Sequence, residues 1–231
     1  AADAGTNWRI GGKIDFTSAN YSKRKDLRHT NYRLDLKVAP GIMYHSDHYA
    51  IGFSYIFSKN SESVSAEEIG TAATPYYAFL DKGLMYGAYE AWSGSGVHLS
   101  ESGINGAAVQ VQWGSLYGDV EYLHSSGSAG EKEVIWFKFP AHRITSHLRY
   151  RFAKGSTEHF LRINLSWSRQ TNDENVLGQE ISNGITTTHV YGSNRIFERK
   201  ALSVQPEYEL IAPKGELRVG AEISSFKSMT T

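Results

Sequence analysis

The stretch Leu-Arg-Ile-Asn-Leu-Ser-Trp, residues 161–167, decides the fold that we predict for this chain. Apolar side chains occupy the odd positions, and Arg162, Asn164 and Ser166 occupy the even ones. Side chains of a β-strand alternate between two faces, so this stretch predicts a strand with one apolar and one polar face. Such two-sided strands are typical of antiparallel sheets.

The same period of two recurs along most of the chain. It is seen in residues 32–38, 49–57, 144–152 and 217–223. The second face is strongly polar, since Arg143, His147, Arg149 and Arg151 share one face of a single strand. Aromatic residues on one face and charges of both signs on the other favour an antiparallel transmembrane β-barrel of the outer-membrane type, with a wet interior and an apolar exterior.

The composition of the 231 residues excludes several other classes of protein. Lys and Arg number 24 and Asp and Glu also number 24, so no net positive charge favours nucleic acid as a partner. There is no cysteine, which excludes disulfides and thiolate metal sites. No apolar run reaches the roughly 20 residues that a membrane helix needs. A single β domain over 1–231 fits this length.

Nine strands are predicted, and the lengths of their connections alternate. They lie at about 8–21, 31–45, 48–60, 105–113, 116–125, 143–153, 158–171, 199–211 and 215–227. The first, third, fifth and seventh are followed by long polar connections, which predict external loops near 61–104 and 172–198. The short turns and the N-terminus are then periplasmic. Because bacterial single-chain barrels have an even number of strands, nine strands predict an incomplete part of a larger barrel.

Residues 134–152 are interpreted as one traverse of the sheet rather than two. Proline has no N–H to donate to a sheet, so Pro140 is expected to mark a bend within this traverse. Counting 134–139 as a separate membrane strand would place the next long loop and short turn at the wrong ends.

Two groups of residues are the candidate functional sites. The loop around 75–104 is rich in Tyr, Trp and Gly, and it predicts either a recognition surface or a plug in the barrel mouth. Its binding candidates are Tyr76, Tyr77, Tyr86, Tyr89 and Trp92. The second group is the interior charge of Arg143, Arg149, Arg151 and Arg162. These arginines predict either a cationic stripe that selects solutes or, as the favoured reading, a salt-bridged ladder against Glu121, Asp119 and Asp35.

Two further clusters suggest chemistry but have simpler explanations. His45, Asp47 and His48 could contribute to a metal site, although a polar hairpin turn accounts for them better. His124, Ser125 and Ser126, near Asp119 and Glu121, resemble the inventory of a hydrolase, but no glycine-flanked nucleophile motif surrounds either serine. No cofactor, metal or catalytic residue is therefore predicted.

Several motifs resemble a family of Bacteroidota outer-membrane β-barrel proteins of unknown function. The run Ala39-Pro40-Gly41-Ile42-Met43-Tyr44, followed by His48-Tyr49-Ala50-Ile51-Gly52-Phe53, is similar to a hairpin of that family. Tyr76-Tyr77, Phe79, Leu84, Gly87 and the stretch 89–96 resemble its glycine-aromatic loop. The likeness covers about residues 32–153. It implies an outer-membrane location and no established activity, and some members accompany energised uptake receptors.

The sequence thus predicts a non-enzymatic outer-membrane barrel that acts as a pore or as an accessory barrel in a surface uptake or assembly complex. Its expected partners are outer-membrane lipid and other outer-membrane or surface proteins, with no nucleic acid. The first alternative is a soluble secreted β-barrel that binds an apolar ligand, and the second is a lipid-acting barrel enzyme. The alternatives differ in whether Leu161, Ile163 and Leu165 face outward or converge on a dry interior.

Overall fold

The protein is all-β and antiparallel. The computed structural model describes residues 2–3, 5–22, 28–67, 76–81, 87–92, 97–131 and 134–230. The strands are β1 (Ala2–Asp3), β2 (Trp8–Ser22), β3 (Arg28–His45), β4 (Tyr49–Glu67), β5 (Tyr76–Asp81), β6 (Gly87–Trp92), β7 (Val97–Trp113), β8 (Leu116–Glu131), β9 (Ile135–Lys138), β10 (Ala141–Lys154), β11 (Thr157–Ser182), β12 (Ile185–Ala212), β13 (Gly215–Gly220) and β14 (Ile223–Thr230). The described segments hold no helix that is long and apolar enough to span a bilayer.

One large sheet contains all strands except β5 and β6. Its order is β1-β2-β3-β4-β7-β8-β10-β11-β12-β13, and β14 also pairs with β12. Strand β9 pairs with both β8 and β11, so it continues the position of β10 between the same two neighbours. Residues 134–152 therefore form the single traverse that the sequence predicts, with the break at Phe139 and Pro140. Strands β13 and β14 likewise share one position beside β12. Apart from the two-residue β1 beside β2, the described strands occupy nine positions in this sheet, which correspond to the nine predicted strands.

The predicted external loop at 172–198 is wrong in its secondary structure. Strands β11 and β12 are 26 and 28 residues long and stay paired up to Ser182 and Ile185. A tight turn joins them, with positive φ at Asn183 (52°) and Gly184 (76°). Both conformations belong to the left-handed region that glycine and asparagine tolerate. This polar hairpin lacks an apolar period of two, which is why its strands are not visible in the sequence.

The predicted loop at 61–104 is also shorter than expected. Strand β4 continues to Glu67 and β7 begins at Val97. Between them, β5 and β6 pair with each other as a separate two-stranded sheet.

The exposure of the two faces is the reverse of that in a water-soluble protein. Along β11, Leu161, Ile163 and Leu165 are 47%, 40% and 43% exposed. The polar side chains between them, Arg162 and Asn164, are less exposed. We call the face that carries Leu161 the apolar face and the face that carries Arg162 the polar face. The side chains of Leu161, Ile163 and Leu165 do not converge on a dry interior.

The apolar face is continuous across the sheet, because register aligns the apolar positions of neighbouring strands. Leu148 pairs with Ile163, and Val109 lies between Phe53 and Val120. We call this surface the apolar band. Its exposed members include Ile10, Ile14, Ile42, Ile51, Phe53, Val109, Val111, Val120, Ile144, Leu148, Leu161, Ile163, Leu165 and Leu202.

The few buried side chains next to the apolar band lie on the opposite, polar face. Ile56, Ala108 and Leu123 form a small cluster there, with Ala39 and Ile104 packed against it. Glu209 is also buried on this face, at 7% exposure. The polar face is therefore the better shielded side of the sheet.

Aromatic residues border the apolar band at both ends. Four tight turns, at 46–48, 114–115, 155–156 and 213–214, lie at the same end of the sheet, which we call the turn end. Two series of ring contacts run along it, Trp8–Tyr44–Tyr49 and Tyr150–Phe152–His159–Tyr208, with centroid separations of 4.6–6.0 Å. At the opposite, loop end, the border carries Tyr55, Tyr122 and Trp167.

The two outermost strands of the large sheet have unpaired edges within the described part of the chain. Strand β2 pairs with β3 along its length, but β1 covers only Arg9 and Ile10 on its other side. Its side chains Ile14 and Phe16 are 72% and 63% exposed. At the far side, β13 and β14 pair only with β12.

Candidate functional site

The polar face brings together all four arginines that the sequence predicts for the barrel interior. Arg143, Arg149 and Arg151 lie on the same face of β10, and Arg149 is in direct register with Arg162 on β11. Their common face follows from the uninterrupted period of two in both strands, which the two-residue turn at 155–156 joins without a shift.

Arg162 is held by two carboxylates of the neighbouring strand. Its Nη1 donates to Glu207 Oε1 at 2.6 Å, and it also forms an ion pair with Glu209. Arg218 on β13 contacts the second oxygen of Glu207, with 2.6 Å between Nη2 and Oε2. This group is a cross-strand network of two guanidinium groups and two carboxylates. Because Glu207 and Glu209 are largely shielded, both need these cations as partners.

The remaining arginines differ in how they are compensated. Arg151 forms an ion pair with Glu158. The guanidinium of Arg149 lies over the ring of Tyr117, with 5.5 Å from Cζ to the centroid. Considering only the described residues, neither Arg143 nor Arg149 has a carboxylate within ion-pair distance. The polar face therefore carries cations in excess along β10.

A shallow cleft lies over these residues in the middle of the polar face. Its volume is about 350 Å³, and Tyr117, Asp119, His147, Arg149, Arg162 and Asn164 contribute to its lining. His147 Nδ1 lies 2.8 Å from Asp119 Oδ1, so Asp119 is paired with a histidine and not with an arginine. The cleft can bind water, small anions or the polar part of a solute through the guanidinium and imidazole groups.

The ladder predicted against Glu121, Asp119 and Asp35 is thus wrong in its partners. Asp35 interacts with Arg33, at 2.7 Å, and with Asn60. The carboxylates that pair with the predicted arginines are Glu158, Glu207 and Glu209. The signal for two of them was present, since Glu207 and Glu209 are two residues apart and share a face.

The aromatic candidates have a defined backbone but belong to the separate hairpin. Tyr76 is in register with Trp92, and Phe79 with Tyr89, while Tyr77 pairs with Ala91. Tyr86 lies outside the described residues. Strands β5 and β6 therefore place four of the five predicted binding residues on one short hairpin instead of in an irregular loop.

The two other clusters have simple geometries. In the turn at 46–48, the backbone N–H of Ser46 donates to Tyr49 O at 2.8 Å. Within the part of the chain that the structure describes, no three histidine or carboxylate side chains are placed to hold a metal ion. His124 lies on the apolar face, whereas Asp119 and Glu121 lie on the polar face, so the residues considered for a hydrolase do not converge.

Beyond the apolar band, toward the loop end, ion pairs link β11 and β12. Glu198 Oε1 accepts from Arg169 Nε at 2.8 Å and lies 3.3 Å from Lys200 Nζ. The hydrogen bond from Arg169, with a second from Lys200, lowers the pKa of the Glu198 carboxyl. Arg195 Nε donates to Asp173 Oδ1 at 3.0 Å, and this hydrogen bond raises the pKa of Arg195. These pairs stabilise the part of the hairpin that has no apolar face.

Comparisons with known proteins give a family and distant structural likenesses. The model of a family of unknown function (DUF6850) matches residues 1–229. No curated protein matches the chain. The crystal structure of the siderophore receptor PiuA from Acinetobacter baumannii is similar at a TM-score of 0.38 and 11% sequence identity, over 97% of this chain and 47% of that one. This chain thus spans about half the length of that receptor. Because the family model covers almost all of its residues, the chain belongs to the family of unknown function DUF6850.

Proposed function

We propose that this chain forms a section of the wall of an outer-membrane β-barrel. In this proposal the apolar face contacts lipid, and the polar face lines a water-filled interior. The barrel acts without chemistry of its own, as a pore or as an accessory barrel in a surface uptake or assembly complex. The resemblance to Bacteroidota outer-membrane proteins supports the same placement.

The inverted exposure of β11 is the observation that carries the proposal. In a protein surrounded by water, exposing Leu161, Ile163 and Leu165 at 40–47% each, across an entire sheet, would leave a very large apolar surface hydrated. In a bilayer the same surface is matched by hydrocarbon, and the strand alternates apolar outward and polar inward as membrane barrels do.

The dimensions of the apolar band support the membrane assignment. Along β4 it extends from Tyr49 to Phe57, which is nine residues. A tilted transmembrane strand needs about 9–11 residues. Tyrosine and tryptophan are enriched at the two membrane–water interfaces of barrel proteins, and the aromatic borders at both ends of the band have this arrangement.

The polar face supports a solute-conducting interior. It carries paired charges around Arg162, and at Arg143 and Arg149 it carries cations that have no carboxylate partner within the described segments. Charges that line a pore set which ions pass. The interior should therefore favour anions over cations.

The soluble alternative requires the opposite geometry. A soluble barrel that binds an apolar ligand would direct Leu161 and its neighbours inward, and it would expose Arg162 and Glu209 to water. The exposures of these residues run the other way, at 47% for Leu161 and 7% for Glu209.

A cysteine scan of β11 tests the membrane assignment. The natural chain has no cysteine, so each variant carries one spin label at a single position from 161 to 168. In the full protein reconstituted into vesicles, odd positions should be accessible to apolar oxygen and even positions to a water-soluble nickel relaxant. The opposite phase, or water access at every position, would refute the proposal.

A deletion tests the role of the aromatic hairpin in contacting a partner. Replacing residues 76–92 with a short Gly-Ser linker should leave the barrel inserted and heat-modifiable on gels, because the hairpin is a separate sheet. Crosslinking on intact cells, followed by mass spectrometry, should then lose neighbours that the parent protein captures. An unchanged set of neighbours counts against the hairpin as the contact surface.

A further inference from the structure

A row of basic side chains crosses five strands at the loop-end border of the apolar band. Register places Lys227, Lys200, Arg169, His142 and His124 side by side. All five lie on the apolar face. Two residues toward the turn end, the same face of β8, β10, β11 and β12 carries Tyr122, Ile144, Trp167 and Leu202. Lys227 shares this face because it is in register with Lys200. We call this set the basic row.

The length and continuity of the basic row are unusual for residues that merely keep their charges in water. Neighbouring strands are about 4.8 Å apart, so five adjacent positions extend over about 19 Å. The side chains of Lys200 and Arg169 are 53% and 41% exposed. The row is therefore accessible from the same side as the apolar band.

Local contacts fix the histidine end of the row. The rings of His124 and His142 lie 4.6 Å apart, and Tyr122 Oη is 2.9 Å from His142 Nδ1. Among the described residues, Nδ1 of His124 is buried and has no hydrogen-bond partner. A polar atom in this state leaves a hydrogen bond to be made by a ligand or water.

The row retains positive charge after its internal pairing. Glu198 is bound to Arg169 and Lys200, which leaves one carboxylate against three full cations when Lys227 is included. The turn-end border of the same face is different. Its outward residues are Trp8, Tyr44, Tyr49, Trp113, Tyr150 and Tyr208, with His159 among them. Among the described strand residues, a single lysine, Lys154 at the end of β10, follows Phe152 on this face, and its partner in register is Thr157 rather than a basic residue.

We propose that the basic row binds the phosphates of a lipid headgroup in the leaflet at the loop end of the sheet. This inference rests on the proposed membrane position of the apolar band. Basic side chains that lie just outside a hydrocarbon-facing surface attract anionic headgroups, and long cationic side chains extend from the band toward that level. The difference between the two borders gives the protein a preference for a phosphate-rich leaflet on one side.

Native mass spectrometry of the full protein in detergent tests this site with two probes. Diphosphoryl lipid A carries two phosphate monoesters and a net negative charge, whereas the single phosphate of phosphatidylcholine is balanced by its own choline cation, so this lipid serves as the zwitterionic comparison. The parent protein should retain lipid A in preference to phosphatidylcholine. The double variant Lys200→Gln and Lys227→Gln removes two cations of the row and keeps Arg169 as the partner of Glu198. It should weaken lipid A binding about 30-fold.

Arg199→Gln is the matched control. Arg199 is adjacent to Lys200 on the same strand but lies on the opposite face, in register with Gln170 and Ser228. It should bind lipid A like the parent protein. An equal loss in this control, or no preference of the parent protein for lipid A, would overturn the proposed site. Complete displacement of lipid A by an equimolar amount of inorganic phosphate would also overturn it, because the ligand would then be free phosphate.

The cysteine scan separates failure of this inference from failure of the membrane proposal. If odd positions on β11 face lipid but the protein shows no preference for lipid A, only the lipid-binding role of the basic row is rejected. Water access along all of β11 would reject the membrane position and the basic row with it.

Discussion

A charge placed in the middle of the apolar band should destabilise the protein far more than the same charge three residues away. Ile163 lies midway along the apolar part of β11 and is paired with Leu148 and Pro206. Ile163→Lys puts an ammonium group where the proposal places the hydrocarbon. At the midplane of a membrane barrel, lysine on the lipid face costs about 2–4 kcal/mol.

Ser166→Lys is the control, because Ser166 lies on the polar face of the same strand. Its register neighbours are Thr145 and Ser203, and Glu121 follows Thr145 in the same row. A lysine there enters a hydrated, partly acidic surface, and we expect a change within about 1 kcal/mol. The difference between the two variants is therefore about 1–5 kcal/mol in the free energy of unfolding, using both ranges.

The assay is reversible urea unfolding of the protein in phospholipid vesicles, followed by tryptophan fluorescence and by the heat-dependent gel shift. In water the result would differ, since Ile163 is already 40% exposed and a surface lysine there would cost about 0.5 kcal/mol or less. Equal stability of the two variants, or a larger loss in Ser166→Lys, would refute the assignment of the lipid-facing side.

Three further predictions concern other parts of the sheet. Arg143→Gln should lower the anion-to-cation permeability ratio measured in planar bilayers, because it removes a cation without a carboxylate partner among the described residues. Gly106→Ala should cost about 1–3 kcal/mol, since a Cβ at this position would overlap the strand opposite, whereas Gly103→Ala meets only a side-chain oxygen at 3.8 Å. Hydrogen exchange near Glu198, measured relative to the intrinsic exchange rate at each pH, should accelerate as the pH falls below about 4.5, because the folded-state pKa of this carboxyl is lowered by Arg169.

Each of these three has a result that contradicts it. An unchanged permeability ratio would show that Arg143 does not face the conduction path. Equal stabilities of the two alanine variants would show that the sheet tolerates a methyl group at either glycine. The sign of the pH effect follows from the lowered folded-state pKa, since the ionised carboxylate stabilises the fold only above that value. Glu198→Gln should therefore show no acceleration over the same pH range, and a parent-like response in this variant would assign the effect to another group.

The sequence predicted the part of the fold in which burial sorts side chains into two classes. Residues 161–167 alternate between apolar and polar side chains, so the sequence alone predicts the strand and its two faces there. The hairpin over 172–198 has polar residues on both faces, as in Asn172, Glu174 and Asn175. Nothing in such a pattern distinguishes a paired strand from a loop, and this is why the prediction was wrong there.

Partners across strands were harder to predict than faces. That Arg149 and Arg162 share a face follows from each strand alone, and the short turn at 155–156 sets their register. The pairing of Arg162 with Glu207 depends on β12, whose connection to β11 was taken to be a long loop. The register between β11 and β12 is set by the turn at 183–184, at the far end of the 26-residue β11, and local spacing around Arg162 does not reveal it.

The two bare margins of the large sheet bear on how the proposed barrel wall would enter a bilayer. On β13–β14, and on β2 from Gly11 to Asn20, alternate main-chain amides point away from the one paired strand, and the described strands offer no second partner there. Hydrocarbon offers no acceptor either, and each unmet amide costs several kcal/mol there. In the proposed membrane position, insertion and the pairing of the margins would therefore be one coupled event, in which the wall closes on itself or on another polypeptide before its margins reach the lipid.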